Sequence, residues 1–137
     1  MTFLTGNRYY SVSTTADSAT KILFTRLGAN DQNFNLRNEA GFLIRKKAQN
    51  TTFVSVIEPH GSYDGTNENS TISESQIERL EVLKDDEKAT IVAFSFKTGK
   101  YYLLCIANDS ASKTAEHSMI VKGLTFGWTG AYALKIL

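Results

Sequence analysis

Cysteine occurs once, proline once and histidine twice in these 137 residues, and no apolar run approaches the ~20 residues of a membrane span. One cysteine excludes an internal disulfide framework and a thiolate metal site. Cys105, inside the apolar run Tyr101-Tyr-Leu-Leu-Cys-Ile-Ala107, therefore reads as a buried structural thiol. His60 and His117 lie far apart with no third ligand at metal spacing beside either, so neither a zinc site nor any cofactor site is expected. Excess charge of one sign is also missing. With 15 cationic and 14 acidic side chains the net charge is +1, no footprint for nucleic acid or an anionic membrane. The one cation run, Arg45-Lys46-Lys47, alternates faces and reads as a solvated strand end. No serine nucleophile elbow, phosphate-binding glycine loop or Cys/His pair is present. A basic-then-apolar signal peptide is absent, and the opening Met1-Thr-Phe-Leu-Thr is what an excised domain with an added initiator methionine would show.

What is present is β-sequence. At 42% hydrophobic and 21% charged, the chain suits a single domain over residues 1–137 with a real core. Short Val/Ile/Phe/Tyr runs alternate with clusters of Gly, Asn, Asp, Ser and Thr. The runs are Arg8–Ser13, Lys21–Leu27, Gly41–Lys47, Thr52–Glu58, Gln76–Leu83, Lys88–Phe96, Lys100–Ala107, Glu116–Lys122, Leu124–Thr129 and Ala131–Leu137. They predict an all-β, two-sheet antiparallel sandwich of roughly ten short strands. Phe96-Lys-Thr-Gly-Lys-Tyr101 is the best hairpin signal and Asp85-Asp86-Glu87 marks another turn. Gly127 and Gly130, which bracket Trp128, predict that Phe126–Tyr132 bends or bulges rather than running straight. Ala16–Thr20 is too short to be a useful helix. Thr52–Glu58, Lys88–Phe96 and Lys100–Ala107 are apolar on both faces, yet no helix exists to cover an outer face. Either the sheets curl around one thick core or, the favoured reading, such a face packs on something outside the domain or on a second copy of it.

Thr52-Phe-Val-Ser-Val-Ile-Glu-Pro-His-Gly61 joins the strongest strand to the most polar loop. Pro59 is expected to end that strand and to deliver His60 and its neighbours to a loop at the sheet edge. Elsewhere, Asp31, Asn33 and Asn35 start a calcium-loop pattern, but Leu36 and Phe42 stand where it needs Gly and Glu, so an Asx-stapled loop is the better account. His117, on the alternation face of Met119 and Val121, reads as a structural histidine with a hydrogen-bonded ring.

Phe24-Thr-Arg-Leu-Gly-Ala-Asn-Asp-Gln-Asn-Phe-Asn-Leu-Arg37 followed by Phe53-Val-Ser-Val-Ile-Glu-Pro-His-Gly61 resembles the C-terminal part of heparinase II/III-like polysaccharide lyases, most closely the oligoalginate lyase branch. The resemblance implies a parent enzyme in which a helical toroid and a following β-region form a cleft and uronate-containing chains, of the alginate or the heparin/heparan type, are cleaved by β-elimination. That chemistry needs the carboxylate neutralised, a base for the C5 proton and an acid for the leaving oxygen. The family's catalytic Tyr and His lie mainly upstream, so no catalytic residue is assigned here. This chain would be an accessory C-terminal domain, with the upstream domains and an acidic polysaccharide as partners and with a periplasmic or extracellular location. Its loop from Glu58 to Glu68 would reach the substrate, with His60 and Tyr63 donating and Glu58 or Glu68 accepting hydrogen bonds. The alternatives are a stand-alone carbohydrate-binding module stacking sugars on Trp128, Tyr63 or Tyr132, and an enzyme in its own right.

Overall fold

The computed structural model describes residues 1–28 and 38–137. The incipient calcium pattern at Asp31, Asn33 and Asn35 and the second half of the Phe24–Arg37 signature lie outside the described residues. The strands are β1 (Thr2–Thr5), β2 (Arg8–Thr14), β3 (Thr20–Gly28), β4 (Asn38–Lys46), β5 (Ser55–Asp64), β6 (Asn69–Thr71), β7 (Ile77–Asp85), β8 (Ala89–Phe96), β9 (Tyr101–Ala107), β10 (Glu116–Val121), β11 (Leu124–Thr129) and β12 (Tyr132–Ile136). All pairings are antiparallel, and the all-β sandwich-like architecture expected from the sequence is the one observed. Among the described residues there are twelve strands rather than ten, because β1 and β6, at four and three residues, are too short to show an alternation. They form four sheets, in the orders β1-β2-β5-β6, β3-β4, β12-β9-β8-β7 and β10-β11.

Met1–Thr15 with Thr52–Leu137 form one compact unit, and Ala16–Thr51, which holds the β3-β4 hairpin, forms a second. In the larger unit the core lies between the β12-β9-β8-β7 sheet and the β10-β11 hairpin. Ala89, Ile91, Ala93, Leu103 and Cys105 from the first meet Met119, Val121, Phe126 and Trp128 from the second. These residues recur every second position, so the period-two pattern alone places them on one face. The even-numbered residues of β8, β9 and β12 form the opposite face. That face is closed over Val92, 4% exposed, and open over β12, where Tyr132, Leu134 and Ile136 are 73%, 57% and 67% exposed. The uncovered outer face expected of Lys88–Phe96 and Lys100–Ala107 is therefore corrected: both faces of β8 and β9 are buried or half-buried apart from Ile106, and the open apolar strip lies on the edge strand β12.

Turn chemistry follows the sequence closely in three places. Gly99 (φ 84°) closes the β8-β9 hairpin, with its N–H donating to Phe96 O at 2.8 Å. Asp86 accepts from the backbone N–H groups of Ala89 and Lys88, and these bonds together with Lys84 hold its carboxyl down at about 2. Asp17 staples the turn before β3 by accepting from Ala19 N–H and Thr20 Oγ1, so Ala16–Thr20 is a turn and no helix forms there. The bend expected within Phe126–Tyr132 is found at Gly130 (φ 89°) and not at Gly127, through which β11 runs in unbroken register with β10.

Cys105 is 0% exposed between Leu103 and Ala107, and burial pushes its thiol up from the ordinary range. We expect a thiol reagent at pH 7.5 to leave the native chain unlabelled over hours and to react within minutes once denaturant unfolds it. Rapid native labelling would show that the two faces of β9 are reversed.

Candidate functional site

The Glu-Pro-His-Gly segment is a strand, and the expectation that Pro59 ends β5 is corrected. β5 pairs with β2 from Ser55 to Ser62, passing straight through Pro59 opposite Tyr10. The ladder explains how. Thr15 N–H donates to Val54 O at 3.0 Å, and alternation from that pair makes Tyr10–Pro59 a pair that exchanges no backbone hydrogen bonds. The nitrogen of Pro59 therefore faces the other edge of β5, where β6 pairs only from Ser62 onward. No donor is missed.

Two residues later the strand bulges. Tyr9 opposes His60 while Arg8 opposes Ser62, which leaves Gly61 as the extra residue, and its φ is +41°. A left-handed glycine at the bulge turns the strand towards the segment that follows β6. The bulge brings His60 Nδ1 to 2.7 Å from Ile72 O. A carbonyl only accepts, so Nδ1 carries the proton, and in the neutral ring Nε2 is then the acceptor. Ser11 Oγ, 2.9 Å from Nε2, must then donate to it, and Thr2 Oγ1 donates in turn to Ser11 Oγ at 2.6 Å. Tyr9 stacks on the imidazole with ring centroids 6.1 Å apart, and its hydroxyl bonds Ser70 Oγ at 2.8 Å.

Glu58 lies on the same inward face. Its carboxylate accepts from Ser75 Oγ at 2.6 Å and from Gln76 N–H at 3.0 Å, while Ser75 Oγ accepts from Ile77 N–H. The acid thus fastens the chain entering β7 to the centre of the β1-β2-β5-β6 sheet. The apolar residues of β5 do not have cover on both sides as expected from the sequence: Val56 is half-buried, but Ile57 is 67% exposed.

Of the four residues singled out from sequence, Glu58 and His60 come together indoors, 9% and 6% exposed. Tyr63 and Glu68 sit outdoors at the β5-β6 hairpin. Tyr63 is half-buried, its hydroxyl without a hydrogen bond among the described residues, and Glu68 is exposed at φ 49° in the turn. Asp64 shapes that turn by accepting from Thr66 N–H and from Asn67, whose side chain holds the Asp64 carboxyl below its usual range. Ser11 and His60 have the hydrogen-bond geometry of a nucleophile and its base. With Ser11 2% exposed and the far ring nitrogen held by a carbonyl, no substrate carbon can reach the hydroxyl, and the pair works as a structural clasp. Its members Ser11, Ile72 and Ser75 were not legible in the sequence because each meets its partner across 49, 12 and 17 residues, without any local spacing signal.

At the other end of this unit, His117 lies opposite Trp128 and stacks on it at 5.0 Å, with Nδ1 3.6 Å from an Asp109 oxygen. The expected hydrogen-bonded ring is not found: among the described residues His117 Nε2 is buried without a partner, as is Trp128 Nε1. Trp128 is only 7% exposed, which removes it as a sugar-stacking platform. The recess beside the two rings, about 180 Å³, is lined also by Lys88, Asp109, Glu116, Ser118 and Met119. Among the described residues no group of three His, Cys, Asp or Glu side chains could hold a metal ion.

No family model matches this sequence. The chain is 34% identical over 134 residues to a protein named alginate lyase from Stenotrophomonas maltophilia, an alignment covering 97% of this chain and 18% of that protein. It is 32% identical over 116 residues to an exo-oligoalginate lyase from Saccharophagus degradans, covering 82% of this chain and 16% of the relative. The chain thus spans less than a fifth of the length of these curated relatives and is homologous to one segment of them, in agreement with the resemblance carried by its two signatures.

Proposed function

We propose that this chain is an accessory, non-catalytic β-domain from the C-terminal part of a polysaccharide lyase, a protein that cleaves uronate-containing polysaccharide of the alginate kind by β-elimination. The observation that carries this reading is the homology of nearly the whole chain to under a fifth of two proteins named for that activity. The interior supports it, because the side chains best suited to acid–base work, Glu58 and His60, have their polar atoms engaged in holding strands together. So does the open strip of Tyr132, Leu134 and Ile136 beside Ile106, which we assign to docking on the larger catalytic part. Each aliphatic side chain buried there would contribute on the order of 1.5–3 kcal/mol. Tyr63 and Glu68 at the β5-β6 tip are the groups free to meet sugar hydroxyls, and export to the periplasm or beyond accompanies this role.

Two measurements test the reading. The isolated chain should release no unsaturated sugar ends from alginate, and turnover by it would overturn the non-catalytic assignment. In the longer lyase, Leu134→Asp with Ile136→Asp should lower thermal stability and yield while leaving the KM of the surviving enzyme near wild type. A stable, fully active double variant would sink the docking role of β12, and self-association of the isolated chain abolished by the same pair would assign that face to a second copy instead.

A further inference from the structure

The β3-β4 hairpin places two cations face to face. Register pairs Lys21 directly with Arg45, and both are exposed. Directly opposed residues of antiparallel strands have Cβ atoms roughly 4.5–5.5 Å apart, and like charges there destabilise the pair. Lys46 on the alternate face is neutralised by Asp17 at 2.5 Å, whereas Lys21, Arg45 and the following Lys47 have no acidic partner among the described residues. Lysine on an exposed strand also deters edge-to-edge pairing, but that purpose does not require two opposed charges.

The charge is segregated by unit. By sequence, Ala16–Thr51 holds six cationic and three acidic side chains, net +3, while the rest of the chain holds nine and eleven, net −2. The near-neutral whole conceals a basic arm. Next along the same face as Lys21 and Arg45 stands the pair Leu23 and Leu43, 46% and 51% exposed. A cation pair beside a small apolar pair suits a uronate residue, whose ring offers a carboxylate on one side and C–H groups on another. Single-stranded nucleic acid would instead call for aromatic rings on that face, and the hairpin's aromatic pair, Phe24 opposite Phe42, alternates to the other one.

We propose that Lys21, Arg45 and Lys47, with Leu23 and Leu43, form a binding site for a linear carboxylated polysaccharide. The choice of a carboxylate ligand rests on the lyase reading above. Titrating the 137-residue chain with hexamannuronate at about 50 mM salt tests it, with a neutral hexasaccharide (cellohexaose) and hexathymidylate as comparisons. Hexamannuronate should bind and cellohexaose should not. Lys21→Gln with Arg45→Gln should weaken binding at least about tenfold and reduce the slope of log K against log salt by roughly one to two. The melting temperature of that variant should not fall, because a like-charge repulsion has been removed. Absence of hexamannuronate binding, binding that survives both substitutions, or equally tight binding of hexathymidylate would overturn the proposal. None of these outcomes changes the result of the β12 substitutions in the longer lyase, so the site and the accessory-domain reading fail separately.

Discussion

Gly61→Ala is expected to cost the domain about 3 kcal/mol or more, enough to lower its melting temperature by roughly 10 °C. Gly61 has φ +41°, a backbone conformation that side chains with a Cβ adopt only under strain. Space is the larger problem. An added Cβ would stand 2.1 Å from both Thr71 O and Ile72 O, backbone atoms that cannot rotate aside. Relief requires the segment after β6 to move away, and Ile72 O is the acceptor that holds His60 Nδ1. The substitution therefore breaks the clasp as well as the bulge. Urea denaturation monitored by circular dichroism measures the loss, and a wild-type midpoint would show that the bulge is not formed as described.

His60→Ala should be nearly as damaging, at about 3 kcal/mol. It takes the acceptor from the Ser11 hydroxyl, which keeps only Thr2 Oγ1, and the donor from the Ile72 carbonyl, at about 1–3 kcal/mol together, and leaves a void under Tyr9. His60→Asn, which keeps a donor near Ile72 O, should recover part of the loss. The sequence assigned His60 to substrate contact, and the two roles separate in the longer lyase. A structural clasp lowers stability and yield with little change in the KM of the folded enzyme, whereas a contact residue raises KM at unchanged stability. A stable His60→Ala enzyme with raised KM would return His60 to the substrate.

The same motif shows what reading in one dimension captures. Glu-Pro-His-Gly was legible as the most specific piece of the chain, and the reason for each member is physical. Glu58 ties down Ser75 and Gln76, Pro59 occupies a position where no donor is needed, His60 bridges to Ile72, and Gly61 admits the bulge. What misled was treating proline as a strand terminator. That rule holds where both strand edges are paired, and one edge of β5 is unpaired at Pro59.

By itself the sequence determined the all-β class, most strand positions, the Gly99 hairpin, the burial of Cys105 and the kinship with lyases. Each of these depends on local alternation, turn residues or residue identity, which are written along the chain. Tertiary structure alone decided that Glu58 and His60 face inward, that Trp128 is covered, and that Lys21 meets Arg45. Burial and cross-strand register depend on which strands become neighbours, and a shift of one residue in that pairing would turn each of those side chains to the opposite face.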